Sequence, residues 1–114
     1  MTAQPAPQIK TGPEVHVVPN HDASRFELWD GDEYIGFLGV ERLEDGTVDL
    51  QHTIISEEFG RQGYARTLVT CVLEHYKDEG VKVRDTCSYV QDYMNRFPQY
   101  RDVLATSPDP RTQD

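Results

Sequence analysis

The chain has 114 residues, with 20 acidic side chains against 11 basic ones and a net charge of −9. At that length one domain is expected, and the acidic balance opposes binding to nucleic acid or to an anionic membrane, both of which depend on basic surface. The same charge favours a cationic partner such as an amine and serves solubility equally well.

In chain order, Met1 to Pro13 holds three prolines and no aromatic residue, so residues 1–13 read as a disordered N-terminal tail. Val15, Val17 and Val18 make Glu14 to Val18 β-prone, and Asn20-His21-Asp22 breaks the run. Arg25 to Trp29 is the next strand, closed by the hairpin signal Asp30-Gly31. Glu33 to Arg42 follows, with Gly36 and Gly39 marking a bend or a close backbone approach. Glu44-Asp45-Gly46 turns the chain into a fourth strand, Thr47 to Ile55. Such closely spaced strands pair with their neighbours as an antiparallel meander.

The fourth strand carries the first candidate side chain. By period two, Val48, Leu50, His52 and Ile54 share an apolar face, opposite Asp49, Gln51 and Thr53. His52 then reads either as a core histidine or as a group beside a reacting centre, and a β-bulge would move it to the other face. After Ser56-Glu57-Glu58-Phe59 comes a polar loop with two glycines. A helix from about Gln62 to Asp78 places Leu68, Val69, Val72, Leu73 and Tyr76 on one face, and Glu79-Gly80 ends it. Val81 to Thr86 is a short strand, which a preceding strand and helix make parallel to the fourth. Tyr89 to Phe97 is a second helix, with Tyr89, Val90, Tyr93, Met94 and Phe97 on its apolar side. Residues 105–114 are polar with two prolines and read as a disordered C-terminal tail. Residues 14–104 therefore form the domain, about 90 residues, enough for a modest core. The expected class is α/β (α+β), with a mixed, mostly antiparallel sheet.

Cys71 and Cys87 are too few for a disulfide framework, and neither stands at metal-ligand spacing from His16, His21, His52 or His75. No metal is expected. There is no Gly-x-x-x-x-Gly-Lys-Ser/Thr run, so the glycine loop is not a nucleoside-triphosphate loop. No apolar run is long enough to span a bilayer, and no signal-peptide core is present, so a cytoplasmic protein is expected.

A strand-loop-helix-strand unit with glycines at the loop-helix junction is a place to hold a phosphate, because backbone N–H groups converge there and the helix dipole favours an anion. Gly60-Arg61-Gln62-Gly63-Tyr64-Ala65 resembles the pyrophosphate loop of the GCN5-related N-acetyltransferases, Gln/Arg-x-x-Gly-x-Gly/Ala, with Gly63 and Ala65 on pattern and Gly60 in place of the first Gln or Arg. His52-Thr53, Cys87-Ser88-Tyr89 and Pro98-Gln99-Tyr100 resemble three further motifs of the short, single-domain branch of that superfamily. The likeness runs from about Phe26 to Leu104.

The resemblance implies an acetyl-CoA-dependent N-acetyltransferase with an amine acceptor, a small molecule or a protein lysine. Arg61, Gln62, Gly63, Tyr64, Ala65 and Arg66 would hold the pyrophosphate. Ile54, Ile55 and Ser56 would lie along the pantetheine arm, where the two parallel strands splay. Cys87, with Ser88 as the expected N-cap of the second helix, would act as nucleophile or as proton donor to the CoA thiolate, since helix N-termini favour thiolates. His52 would be the base, taking a proton from the amine or from Cys87. The alternative for Cys87 is an inert buried thiol. A different class also fits the short chain: a CoA-binding module with little or no catalysis. A monomer or weak homodimer is expected, the latter through the exposed edge of the meander.

Overall fold

The structure is a computed structural model and describes residues 12–112. The expected N-terminal tail, apart from its last two residues, lies outside the described residues.

Five strands form one sheet in the order β1 (Val15–Asn20), β2 (Arg25–Asp30), β3 (Glu33–Arg42), β4 (Val48–Ile55) and β5 (Val83–Arg84). The first four are an antiparallel meander, and β5 joins β4 in parallel. Helix α1 (Tyr64–Glu79) connects β4 to β5, and α2 (Ser88–Arg96) follows β5. Among the described residues no helix is long and apolar enough to cross a membrane.

The fold follows the sequence periods closely. Leu68, Val69, Val72, Leu73 and Tyr76 of α1 are all buried, and Val90, Tyr93 and Met94 of α2 join them in one core with Phe26, Leu28, Leu38 and Leu50 of the sheet. Gly80 caps α1 at φ 70°, and its N–H and that of Val81 bond back to the last turn.

Two bulges depart from simple alternation. Leu28 pairs with Gly36 and Trp29 with Tyr34, so Ile35 is an extra residue in β3 and turns into the core. Gly39 pairs with His52 and Val40 with Leu50, so Gln51 is an extra residue in β4. Beyond Gln51 the faces of β4 exchange: Thr53 and Ile55 point inward, while His52 and Ile54 point outward and are exposed. The apolar-face placement of His52 and Ile54 is thus corrected, through the bulge that period two alone cannot register.

Three further boundaries shift. Helix α1 begins at Tyr64 rather than about Gln62, because Arg61 and Gly63 hold left-handed φ values of 62° and 89° that no helix continues through. Cys87 itself, not Ser88, is the N-cap of α2. Strand β5 is only Val83–Arg84, since beyond Arg84 the chain turns so that the Cys87 N–H reaches the Leu50 carbonyl at 2.8 Å.

Residues 105–112 read as part of a tail from composition, yet they lie against the sheet. The Ala105 N–H bonds to the Val83 carbonyl at 2.8 Å, and Arg84 donates to the Ser107 and Pro108 carbonyls at 2.8 and 3.1 Å. The contacts are tertiary, which a polar, proline-bearing composition does not disclose.

Candidate active site

The candidate site lies at the β4–β5 seam, at the point where the pairing of the two strands ends. The strands pair only at Val48–Val83 and Asp49–Arg84. From His52 to Ile55, β4 is bonded to β3 on one side and, among the described residues, to no strand on the other. Cys87 sits where the seam opens, anchored by its N–H on Leu50.

At the loop, Gly63 is the N-cap of α1, with no side chain capping the helix and no acid in its first turn. Most helix starts carry an acid or a capping oxygen to meet the exposed N–H groups and the positive end of the dipole. Here arginines stand on either side of the start, at Arg61 and Arg66. That arrangement leaves the helix end suited to an external anion. Gly63 adopts a conformation that excludes a β-carbon without strain.

The side chains predicted for the loop divide by role. The Gln62 amide folds back to the Glu58 carbonyl at 3.4 Å. Tyr64 is buried, donates to Asp30 Oδ2 at 2.9 Å and meets Phe59 edge to face, so it ties the loop to the β2–β3 turn. Its phenol is pushed up by that bond to Asp30 and by burial. Ile55 packs on the core, while the Ser56 N–H is committed to the Ile35 carbonyl at 2.8 Å. Ile54 is 52% exposed on the outer face. Of the predicted cofactor set, Ile54, Arg61 and Gln62 are exposed.

Cys87 is buried, and its Sγ lies 3.4 Å from Thr53 Oγ1. Thr53 was legible only as half of the His-Thr pair; the bulge makes it, rather than His52, the strand residue that meets the thiol. His52 lies on the other face of β4. Its ring meets Phe37 edge to face at 5.6 Å and covers Gly39, where a β-carbon would come within 2.9 Å of Nε2. The structure therefore brings Cys87 to Thr53 and does not bring it to His52.

On the inner side, Arg66, Tyr89, Asp92, Tyr93, Asn95, Arg96 and Phe97 line a cavity of about 440 Å³ between the two helices. Tyr89 is half-buried: it packs against the core, as its helical spacing leads one to expect, and also lines this cavity. Burial pushes its phenol up, with the Arg66 guanidinium pulling the other way. Cys71, on α1, is the exposed cysteine; partial desolvation of its thiol, then Glu74, pushes its pKa up. Among the described residues no group of His, Cys, Asp or Glu could hold a metal ion.

Residues 25–103 match the sequence model of a family described as GCN5-related N-acetyl-transferase. Protein NATD1 of Xenopus tropicalis is 38% identical over 69 residues, which are 59% of this chain and 63% of that protein. The chain thus spans less than two-thirds of that relative's length in the match. Protein NATD1 of Mus musculus is 29% identical over 105 residues, 90% of this chain and 96% of that protein. The solution NMR structure of a protein from Staphylococcus aureus described as GCN5-like superposes with a TM-score of 0.63 at 18% identity, covering 90% of this chain and 100% of that one. At that identity the superposition speaks for the fold.

Proposed function

This chain belongs to the GCN5-related N-acetyl-transferase family, and on that premise we propose that it moves an acetyl group from acetyl-CoA to an amine. The observation that carries the reading is the opening of the β4–β5 seam at Cys87, together with an α1 N-terminus that has no acid and no capping side chain. A long thioester ligand needs both: an anion site for its phosphates and a slot for its arm.

In this reading the amides around Gly63, with Arg61 and Arg66, bind the pyrophosphate. The free edge of β4 hydrogen-bonds the arm. The transfer is acyl substitution: the amine nitrogen bonds to the thioester carbonyl carbon, the carbon–sulfur bond breaks, and the CoA sulfur leaves with the electron pair. Two protons must be handled, one lost by the amine and one gained by the sulfur. The placement of His52 and Cys87 on opposite faces of β4 suits two separate tasks. Cys87, inside the gap, donates to the departing sulfur or takes the acetyl group transiently; His52, outside, accepts from the amine. Proton exchange between the two is not supported by this geometry.

The acceptor is an amine, a small molecule or a protein lysine, which the net charge of −9 would attract. A second reading keeps one observation on its side. Ile54 and His52 stand open on the outer face, so a CoA-binding module with little turnover would have the same gap and no enclosed acceptor site.

Thermal unfolding with and without acetyl-CoA tests the first step. A ligand at about 100 times its Kd adds about 2.7 kcal/mol, a readable rise in Tm. A rise in the wild type that Gly63→Glu abolishes, with the variant still melting cooperatively, supports the cofactor site. No rise at millimolar acetyl-CoA sinks it. An amine screen for CoA release then separates enzyme from binding module: saturable release with any amine excludes the second reading.

A further inference from the structure

Among the described residues the most deeply buried carboxylate, Asp49, lies in the β4–β5 seam and is used by none of the steps above. Asp49 has an exposure of 0%. Its Oδ1 accepts a 2.5 Å hydrogen bond from Thr86 Oγ1, and Thr86 immediately precedes Cys87. Its Oδ2 pairs with Arg111 Nη1 at 3.0 Å. The next residue, Leu50, accepts the Cys87 N–H. Thr86 and Cys87 are thus tied to successive positions of β4, Thr86 to the Asp49 carboxylate and Cys87 to the Leu50 backbone.

Arg111 is itself prepared for this task. Asp109 grips its Nε and Nη2 at 3.1 and 2.7 Å and also accepts the Arg111 backbone N–H at 2.8 Å. That pairing holds the Asp109 carboxyl down at about 2. The approach of residues 105–112 is fixed upstream by Val83 and Arg84. A buried carboxylate stripped of its countercharge is strongly disfavoured and moves toward water or toward another partner. Either response changes what holds Thr86.

We propose that residues 105–112 are a latch whose Arg111 neutralises Asp49, so that Asp49 can fix Thr86 and thereby set the position of the Cys87 thiol in the gap. Arg111, Asp49 and Thr86 are positioning residues; none touches the reacting atoms. The proposal rests on the reading of Cys87 as a working group, but its test does not require acetyl transfer.

The test follows alkylation of Cys87 by iodoacetamide against pH in a Cys71→Ser background, where Cys87 is the one remaining thiol. Arg111→Gln and Thr86→Val are each expected to change the alkylation rate at least about fivefold or to displace its pH midpoint, with the far-UV spectrum unchanged. Arg111→Lys, which keeps the charge, restores much of the effect. With an acceptor in hand, the same two variants lower kcat about tenfold or more while KM for acetyl-CoA stays within about twofold, as small displacements of a reacting group do. Alkylation that is indifferent to both Arg111→Gln and Thr86→Val overturns the latch. If Arg111→Gln does not fold, Thr86→Val decides alone, since it leaves the ion pair intact. A protein without acetyl transfer but with latch-sensitive alkylation would lose the proposed function and keep the latch.

Discussion

The Cys87 thiol and the Thr53 hydroxyl face each other across 3.4 Å, joining the N-cap of α2 to the inner face of β4. The contact exists because Gln51 is an extra residue in its strand. Without that bulge Thr53 would point outward and His52 would face the thiol.

The contact makes Cys87 and Thr53 separable by mutation. Cys87→Ala should keep the acetyl-CoA-induced rise in Tm and lower kcat about 10²-fold or more, the scale of a lost proton donor or nucleophile. Thr53→Val should lower kcat less, because the thiol remains and only its hydroxyl neighbour goes. Steady-state kinetics beside melting curves read both. Turnover unchanged in Cys87→Ala would leave the thiol as a packing group.

At the loop, stability and binding should move in opposite directions. Arg61 holds φ 62°, a conformation that disfavours every residue with a β-carbon except in local polar turns. Arg61→Gly removes that strain, roughly 1–2 kcal/mol, against an entropic penalty of about 0.5–1 kcal/mol for glycine. The variant should melt no lower than the wild type. It should nonetheless raise KM for acetyl-CoA about tenfold, since a charge-assisted contact to phosphate is lost. Urea melts and kinetics on one preparation test both signs. An unaltered KM would place the arginine outside the phosphate site.

Acid stability has an identifiable origin in three carboxylates. The Asn20 amide, then the Arg25 guanidinium, hold the Glu27 carboxyl below the ordinary carboxylate range. The Thr47 hydroxyl does the same for Asp45, and Arg111 holds Asp109 at about 2. A carboxylate with a depressed folded pKa favours folding above the unfolded value, about 4, and that contribution fades as pH falls through the folded value. Tm should therefore drop between about pH 4 and pH 2. Glu27→Gln should melt lower than the wild type at pH 7 and converge with it near the acid end. Parallel curves across the range would remove Glu27 from the account.

Much of this was readable in the sequence. The hairpin turns at Asp30-Gly31 and Glu44-Asp45-Gly46, the buried stripe of α1 and the parallel return after Gly80 follow from local signals. What was not readable depends on partners distant in sequence. Gln51 is an extra residue only because β3 fixes the register of β4, and no local pattern distinguishes it from its neighbours. Arg111 reads as part of a solvated tail, although its guanidinium meets Asp49, 62 positions earlier in the numbering.

Gly36 and Gly39 provide the sharpest separation between fold and function. Both lie on β3, opposite Ile55 and His52 of β4, and both would crowd a β-carbon. At Gly36 the added carbon would stand 2.3 Å from the Ile54 carbonyl oxygen and 2.9 Å from the Ile55 Cα. Those are backbone atoms of a paired strand and cannot yield without parting the sheet. Gly36→Ala should lower stability by about 1–3 kcal/mol or more, in the range of overpacked sites. At Gly39 the nearest atom is Nε2 of His52, at 2.9 Å, the far end of an exposed side chain that can swing away. Gly39→Ala should therefore lower stability by less than about 1 kcal/mol. Its effect falls instead on the placement of the His52 ring. If His52 takes the amine proton, Gly39→Ala lowers kcat several-fold and leaves acetyl-CoA binding alone, while His52→Ala lowers it further and makes Gly39→Ala silent in the double variant. Additive losses in the pair would mean that the glycine acts by another route, and the role of His52 would then rest on its own substitution.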